Sequence, residues 1–164
     1  MTSLIGEWEA VGRDNLSAIL TEIGAPEHIH REVESGSIGV TLDIQSNELF
    51  CRQRFGEKVF ENTFVLGKEM QELTPDGRIV LSTVTLESDV QLSHRQKHGF
   101  TETVIVRELI GDQMVTTVRI HDSTAKLYYK RVGDPQDTDK YFSHASQNIQ
   151  SEDEEFEILS ADGD

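Results

Sequence analysis

Arg107 is the residue whose placement creates a chemical problem. From residue 100 to 110 apolar and polar side chains alternate, so Thr103, Ile105, Arg107 and Leu109 share one face and Glu102, Val104, Val106 and Glu108 the other. Glutamates belong in water, which turns the arginine toward the interior. In the last alternating segment Ala125, Leu127, Tyr129 and Arg131 share the face opposite Lys126, Tyr128 and Lys130, and the segment between presents Thr116, Val118 and Ile120 inward. A guanidinium facing a closed interior costs several kcal/mol unless it is paired or hydrated. None of these three segments offers an inward acid. A cavity resolves the conflict, holding water when empty and admitting a ligand carboxylate when filled. Tyr129 can add a hydroxyl donor to the same carboxylate. The expected ligand wall is therefore Arg107, Tyr129, Leu127, Thr116, Val118 and Ile105.

Other reactive patterns support less. His28-x-His30 and His94-x-x-x-His98 have the residue type of a metal site. The second pair, however, lies across a strand end, where a spacing of four separates the side chains, and no acid or cysteine is placed beside either pair. No Ser/His/Asp set, Cys/His pair or phosphate-cradling glycine loop stands in a recognisable context. An enzyme, a metal site and a cofactor are all unexpected. Cys51 alternates with Leu49 and Gln53 and reads as a buried, inert thiol.

The elements that must hold Arg107 in place are strands. Alternation marks them at 7–13, 37–44, 48–55, 59–66, 68–73, 78–86, 90–96, 100–110, 113–121 and 123–132, divided by breaks such as Ser46-Asn47, Gly67, Asp76-Gly77 and Gly111-Asp112. Loops this short force antiparallel neighbours. Between the first two strands Leu16, Ile19, Leu20 and Ile23 recur at helical spacing. Asp14 or Asn15 can cap that helix, Gly24 can end it, and Pro26 suits the first turn of a second helix running through His28 and Ile29 toward Val33. About ten antiparallel strands have an edge problem that closure removes. The fold expected is all-β: a closed up-and-down antiparallel barrel with a two-helix lid, whose stripe Leu16, Ile19, Leu20 and Ile23 packs over the open end.

The chain has 164 residues, the size of one domain, and a net charge of −15. That field repels phosphate backbones, so no nucleic-acid partner is expected. The first 133 residues carry 14 basic and 20 acidic groups, the last 31 only 1 and 10, so the acidity is concentrated at the C-terminal end. The expected division is a barrel at 1–133 and an acidic, disordered tail at 134–164, because the tail lacks periodicity and Tyr141, Phe142, Phe156, Ile158 and Leu159 are too few to bury a core. Within it, residues 151–154 read as an acidic phosphorylation site. Phe156-Glu157-Ile158-Leu159 resembles the short autophagy-receptor motifs that add a strand to a partner's sheet. Deleting the tail is expected to leave ligand affinity nearly unchanged. A single cysteine, an N-terminus with neither a basic start nor a long apolar stretch, and no apolar run of membrane-spanning length point to a cytoplasmic or also nuclear protein, and a monomer is expected.

The residues also carry a family resemblance. Gly6-Glu7-Trp8, followed by Asn15 and a helix ending at Ile23-Gly24, resembles the N-terminal signature of the intracellular lipid-binding proteins, the fatty-acid-binding and retinoid-binding family. Phe64-Val65-Leu66-Gly67-Lys68-Glu69-Met70 and Thr74-Pro75-Asp76-Gly77-Arg78 are similar to its fourth to sixth strands, and residues 102–109 to its eighth. The similarity covers residues 4 to about 132. Leu16, Ser17 and Ala10 depart from the signature. The last strand has Leu127-Tyr128-Tyr129 where the family often has Arg-x-Tyr, so the second inward arginine is replaced by Leu127. The Gly-x-Trp pattern alone is shared with extracellular lipocalins, whose secretion signal and disulfides have no counterpart here.

The resemblance implies a lipocalin-like (calycin) barrel that carries a fatty acid or related hydrophobic carboxylate, with portal entry under the helices and a transient membrane or protein partner for delivery. Burying each methylene is worth about 0.8 kcal/mol, so chain burial dominates affinity and the arginine orients the ligand. The alternatives are an adaptor that mainly displays the acidic tail and a retinoic acid carrier.

Overall fold

The turns decide the topology, because each is only long enough to return the chain antiparallel to the strand it has left. The computed structural model describes residues 2–143. Residues 151–154 and 156–159, singled out above, lie outside the described residues. The strands are β1 (Gly6–Asp14), β2 (Ile38–Gln45), β3 (Glu48–Phe55), β4 (Lys58–Val65), β5 (Met70–Leu73), β6 (Ile79–Ser88), β7 (Gln91–His98), β8 (Thr101–Ile110), β9 (Gln113–Ile120) and β10 (Ser123–Gly133), with α1 (Leu16–Ile23) and α2 (Glu27–Ser35) after β1. They form one sheet in the order β4-β3-β2-β1-β10-β9-β8-β7-β6-β5.

That order corrects the expectation of full closure: β4 and β5 share no ladder, and the barrel is nearly closed. The physical reason is the turn after β4. Gly67 sits at φ 79°, in the left-handed region that suits glycine, and sends its N–H to Val84 O at 2.7 Å on β6, while the Val65 N–H finds only Met70 Sδ at 3.3 Å. Side chains bridge the gap instead. Phe64 on β4 reaches through the interior to pack edge-on against His94 of β7, ring centroids 5.1 Å apart.

The opposite side of the barrel is tightened around Trp8. Its Nε1–H donates to Leu4 O at 3.0 Å, and the Arg131 guanidinium lies 4.3 Å from its ring centre. Trp8 is a core residue, as its type leads one to expect. Arg131, which shares the inward face by alternation, is exposed. It stacks on Trp8 at the barrel rim and donates to Ser3 O and Ile5 O.

The lid rests on β9 and β10 through Leu16, Ile19 and Leu20, all buried. Asn15 precedes α1 without capping it: its backbone is left-handed at φ 62°, and its side chain donates to Thr124 O at 2.9 Å, tying the helix start to β10. Gly24 ends α1 at φ 71°, followed by the Ala25 N–H to Leu20 O bond at 2.9 Å. Pro26 stands at the N-cap of α2 rather than inside its first turn. Glu32 meets Lys58 at 3.3 Å and Glu22 meets His121 at 3.0 Å, so the lid is held by exposed, weak pairs at its margins and by apolar packing beneath.

The boundary placed at 133 also needs correction. Residues 134–143 are not a free tail. They return over the outer wall of β2, β3 and β4, with Tyr141 stacked on Phe50 at 4.4 Å between centroids and Phe142 fully buried. Two aromatics are too few to make a core of their own, yet they complete one that the outer wall offers through Phe50.

Candidate functional site

Inside the barrel lies a cavity of about 150 Å³, enough for on the order of ten waters. Five predicted wall residues come to it from three adjacent strands. Register pairs Ile105 with Val118 and Arg107 with Thr116 across β8 and β9, and Thr116 with Leu127 across β9 and β10. Tyr129, two residues on from Leu127, is the sixth, and all six line the cavity. Leu16, Leu20 and Ile23 line it from the lid. Ile19 does not. It is buried in the packing beneath α1. The rim is completed by α2 through Ile29 and Val33, by Phe55 and Lys58 of the β3–β4 turn, and by residues 74–76 and Arg78 of the β5–β6 turn.

Arg107 is only 6% exposed, and its Nη1 donates to Thr116 Oγ1 at 3.0 Å. None of the ion pairs among the described residues includes it. The guanidinium therefore stands in the cavity beside the Tyr129 hydroxyl, with no carboxylate paired to it among the described residues. Burial pushes the Tyr129 hydroxyl above its usual range, and Arg107 beside it works in the opposite direction. The phenol stays protonated at neutral pH, a donor aimed at the same space. Cys51 is pushed up to about 11, again by burial, with Arg107 opposing and Glu72 adding to the rise. It is the inert thiol its alternation implies.

The chain and its fold have known counterparts. The chain is 37% identical over 132 residues to a fatty acid-binding protein of Clonorchis sinensis, spanning 80% of this chain and 99% of that one. It belongs to the fatty-acid-binding protein family. A second family member, from Schistosoma japonicum, is 35% identical over 132 residues and is covered along its whole length. Among solved structures, the Schistosoma mansoni fatty acid binding protein in complex with arachidonic acid superposes with a TM-score of 0.77 at 32% identity, over 81% of this chain and 98% of that one. No protein-family model matches the chain.

This barrel also contains an inward acid that strand alternation did not reveal. Glu72 of β5 is 2% exposed, and its Oε1 receives Ser82 Oγ at 2.5 Å, His94 Nε2 at 2.9 Å and Gln96 Nε2 at 3.1 Å. Its Oε2 has no hydrogen-bond partner among the described residues. The three strands considered around Arg107 indeed carry no inward acid, but a fourth does. The signal lay in β7, where Leu92, His94 and Gln96 alternate on one face and place two polar groups in the interior. His94, one of the histidines weighed as a metal ligand, is Glu72's partner, and no group of three metal-ligating side chains occurs among the described residues.

Burial alone pushes the Glu72 carboxyl up. The bond and charge of His94, with the donors Ser82 and Gln96, outweigh it and hold the group below the usual carboxylate range. A carboxyl depressed in the folded state contributes stability above its unfolded pKa and loses it as pH falls through the folded value. Glu72→Gln should therefore cost about 2 kcal/mol at pH 7, where three donors lose their anion. Urea unfolding of both proteins from pH 7 to pH 3 should show the gap closing as pH drops below about 4. A gap that widened toward acid would mean Glu72 is held protonated.

Proposed function

We propose that this protein is a non-enzymatic, intracellular carrier of a long-chain fatty acid or related hydrophobic carboxylate, held in the barrel with its headgroup on Arg107. The observation that carries the reading is the buried Arg107 guanidinium, bonded to Thr116 and free of any protein carboxylate among the described ion pairs, in a cavity otherwise lined mostly by apolar side chains. The ligand supplies the missing anion. The family supports the same ligand class, since the relatives are fatty acid-binding proteins and one is solved with arachidonic acid.

Leu127 occupies the position from which a second arginine could have clamped the headgroup, and Tyr129 stays beside it. The carboxylate therefore rests on Arg107, Thr116 and Tyr129 alone. A chain of about sixteen carbons contributes on the order of 10 kcal/mol by burial before ordering costs, so one cation suffices to orient it. Exchange proceeds past the apolar underside of α1 and α2, whose margins are held by exposed ion pairs.

The test is a titration of delipidated protein with a fluorescent fatty acid. Saturable binding of one equivalent, displaced by unlabelled fatty acid and not by its methyl ester, is the expected result. Absence of saturable binding with an intact far-UV spectrum would replace the carrier with the adaptor reading. Tighter displacement by retinoic acid than by any straight-chain acid would reassign the ligand.

A further inference from the structure

We infer that Gln96 and Thr103 form a second polar subsite in the cavity that receives a hydroxyl on the ligand chain, making the preferred ligand class a hydroxylated long-chain carboxylate. The inference rests on the carrier reading above and names its ligand more narrowly.

Gln96 of β7 and Thr103 of β8 are direct cross-strand partners, both nearly fully buried, and both line the cavity. Thr103 Oγ1 has no hydrogen-bond partner among the described residues. A buried hydroxyl without a partner is uncommon and calls for an explanation. Gln96 explains what kind of group it awaits. Its Nε2 donates to Glu72 Oε1, and Glu72 is held ionised, so it can only accept. The amide nitrogen is thereby fixed on Glu72, which turns the amide carbonyl the other way. Ser82 and His94 on the same carboxylate oxygen hold that orientation.

The pair thus offers one acceptor, the Gln96 carbonyl, next to a hydroxyl that can donate. An alcohol satisfies both at once, donating to Gln96 and accepting from Thr103. A ketone can only accept, and it meets the Gln96 carbonyl lone pairs. A methylene satisfies neither. Thr103 and Arg107 lie four residues apart on β8, about 13 Å at strand rise, which a zigzag of about ten carbon–carbon bonds spans. A carboxylate on Arg107 therefore brings the middle of an eighteen-carbon chain to Gln96 and Thr103.

The experiment uses the full chain, delipidated, and competition titrations with octadecanoic acid, its 8-, 10- and 12-hydroxy derivatives and the 10-oxo analogue. These run on the natural protein and on Thr103→Val, which keeps the side-chain shape. The natural protein should bind its best hydroxy acid about three- to tenfold more tightly than octadecanoic acid, the reach of one added neutral hydrogen bond, and the oxo acid no more tightly. Thr103→Val should abolish that ratio, each hydroxy acid being compared with octadecanoic acid on the same protein. Octadecanoic acid binding with no preference anywhere in the hydroxy series, or a preference that Thr103→Val leaves intact, overturns the subsite and leaves the carrier standing. Failure of every acid to bind overturns both.

Discussion

Arg107→Leu should make the ligand-free protein more stable and the same protein a much poorer binder of fatty acids. The two effects have one cause. In the empty barrel the guanidinium is removed from bulk water and meets only neutral partners, Thr116 and Tyr129, with no carboxylate paired to it among the described residues, so it retains part of its desolvation cost. A leucine of lesser polarity removes that cost, and replacing buried charge by well-packed apolar volume gains about 1–4 kcal/mol, less about 1 kcal/mol for the stranded Thr116 hydroxyl. The net gain, up to about 3 kcal/mol, should raise the melting temperature of a chain of this size by as much as about 12 °C. Fatty acid affinity should fall at least about thirtyfold, because a carboxylate drawn into the cavity would lie buried without its cation. A methyl ester or fatty alcohol, which never used the charge, should bind Arg107→Leu as well as or better than it binds the natural protein. Calorimetric melting and fluorescent displacement on one preparation check both halves. Destabilisation together with unchanged fatty acid affinity would make Arg107 a structural charge, and the carrier reading would lose its anchor.

The parts of this arrangement that were legible in the sequence are those in which a single strand displays its own alternation. Residues 101–110 sort glutamates from Arg107 without any knowledge of neighbours, and the short hairpins then fix β9 and β10 beside it, which is why all six wall residues reach one cavity. Glu72 was hidden for the converse reason. Strand β5 is four residues long, too short to display a period, and the donors that make an inward glutamate tolerable arrive from β6 and β7, ten to twenty-four positions away. Ile19 shows the limit of a stripe. Helical spacing identifies the apolar face of α1 but not which of its residues meet the cavity and which meet the wall. Arg131 shows the limit of alternation, since at the rim an inward-facing position opens to water over Trp8.

Residues 134–143 were illegible altogether, because a segment that packs on an outer wall has neither helical nor strand period, and the mutation with the largest expected effect on stability lies there. Phe142→Ala should destabilise the full chain by about 3 kcal/mol, at the lower end for a fully buried phenylalanine because the segment is peripheral and can relax. The melting temperature should fall by about 6–12 °C. The loss extends beyond one side chain. Phe142 and Tyr141 flank Phe50, Thr138 donates to Asp43 of β2 at 2.5 Å, Gln45 of β2 donates to Asp139 at 2.7 Å, and the Ser143 N–H reaches Glu48 of β3 at 2.7 Å. Thr63 of β4 donates to Tyr141 O at 3.0 Å, and the Tyr141 hydroxyl donates to Glu61 at 3.2 Å, where Arg52 of β3 already holds the carboxyl below its usual range. The segment thus ties β4, which has a ladder partner on one side only, to the two strands beyond it. A chain ending at Gly133 should unfold at least as early as Phe142→Ala and bind an apolar dye through the uncovered Phe50. Fatty acid affinity, measured well below either melting transition, should stay within about twofold, because none of these wall contacts is a cavity-lining residue. Loss of affinity in step with stability would show instead that the outer wall of β2 to β4 communicates with the cavity, whereas an unchanged melting temperature would mean that the segment lies on the barrel without bracing it.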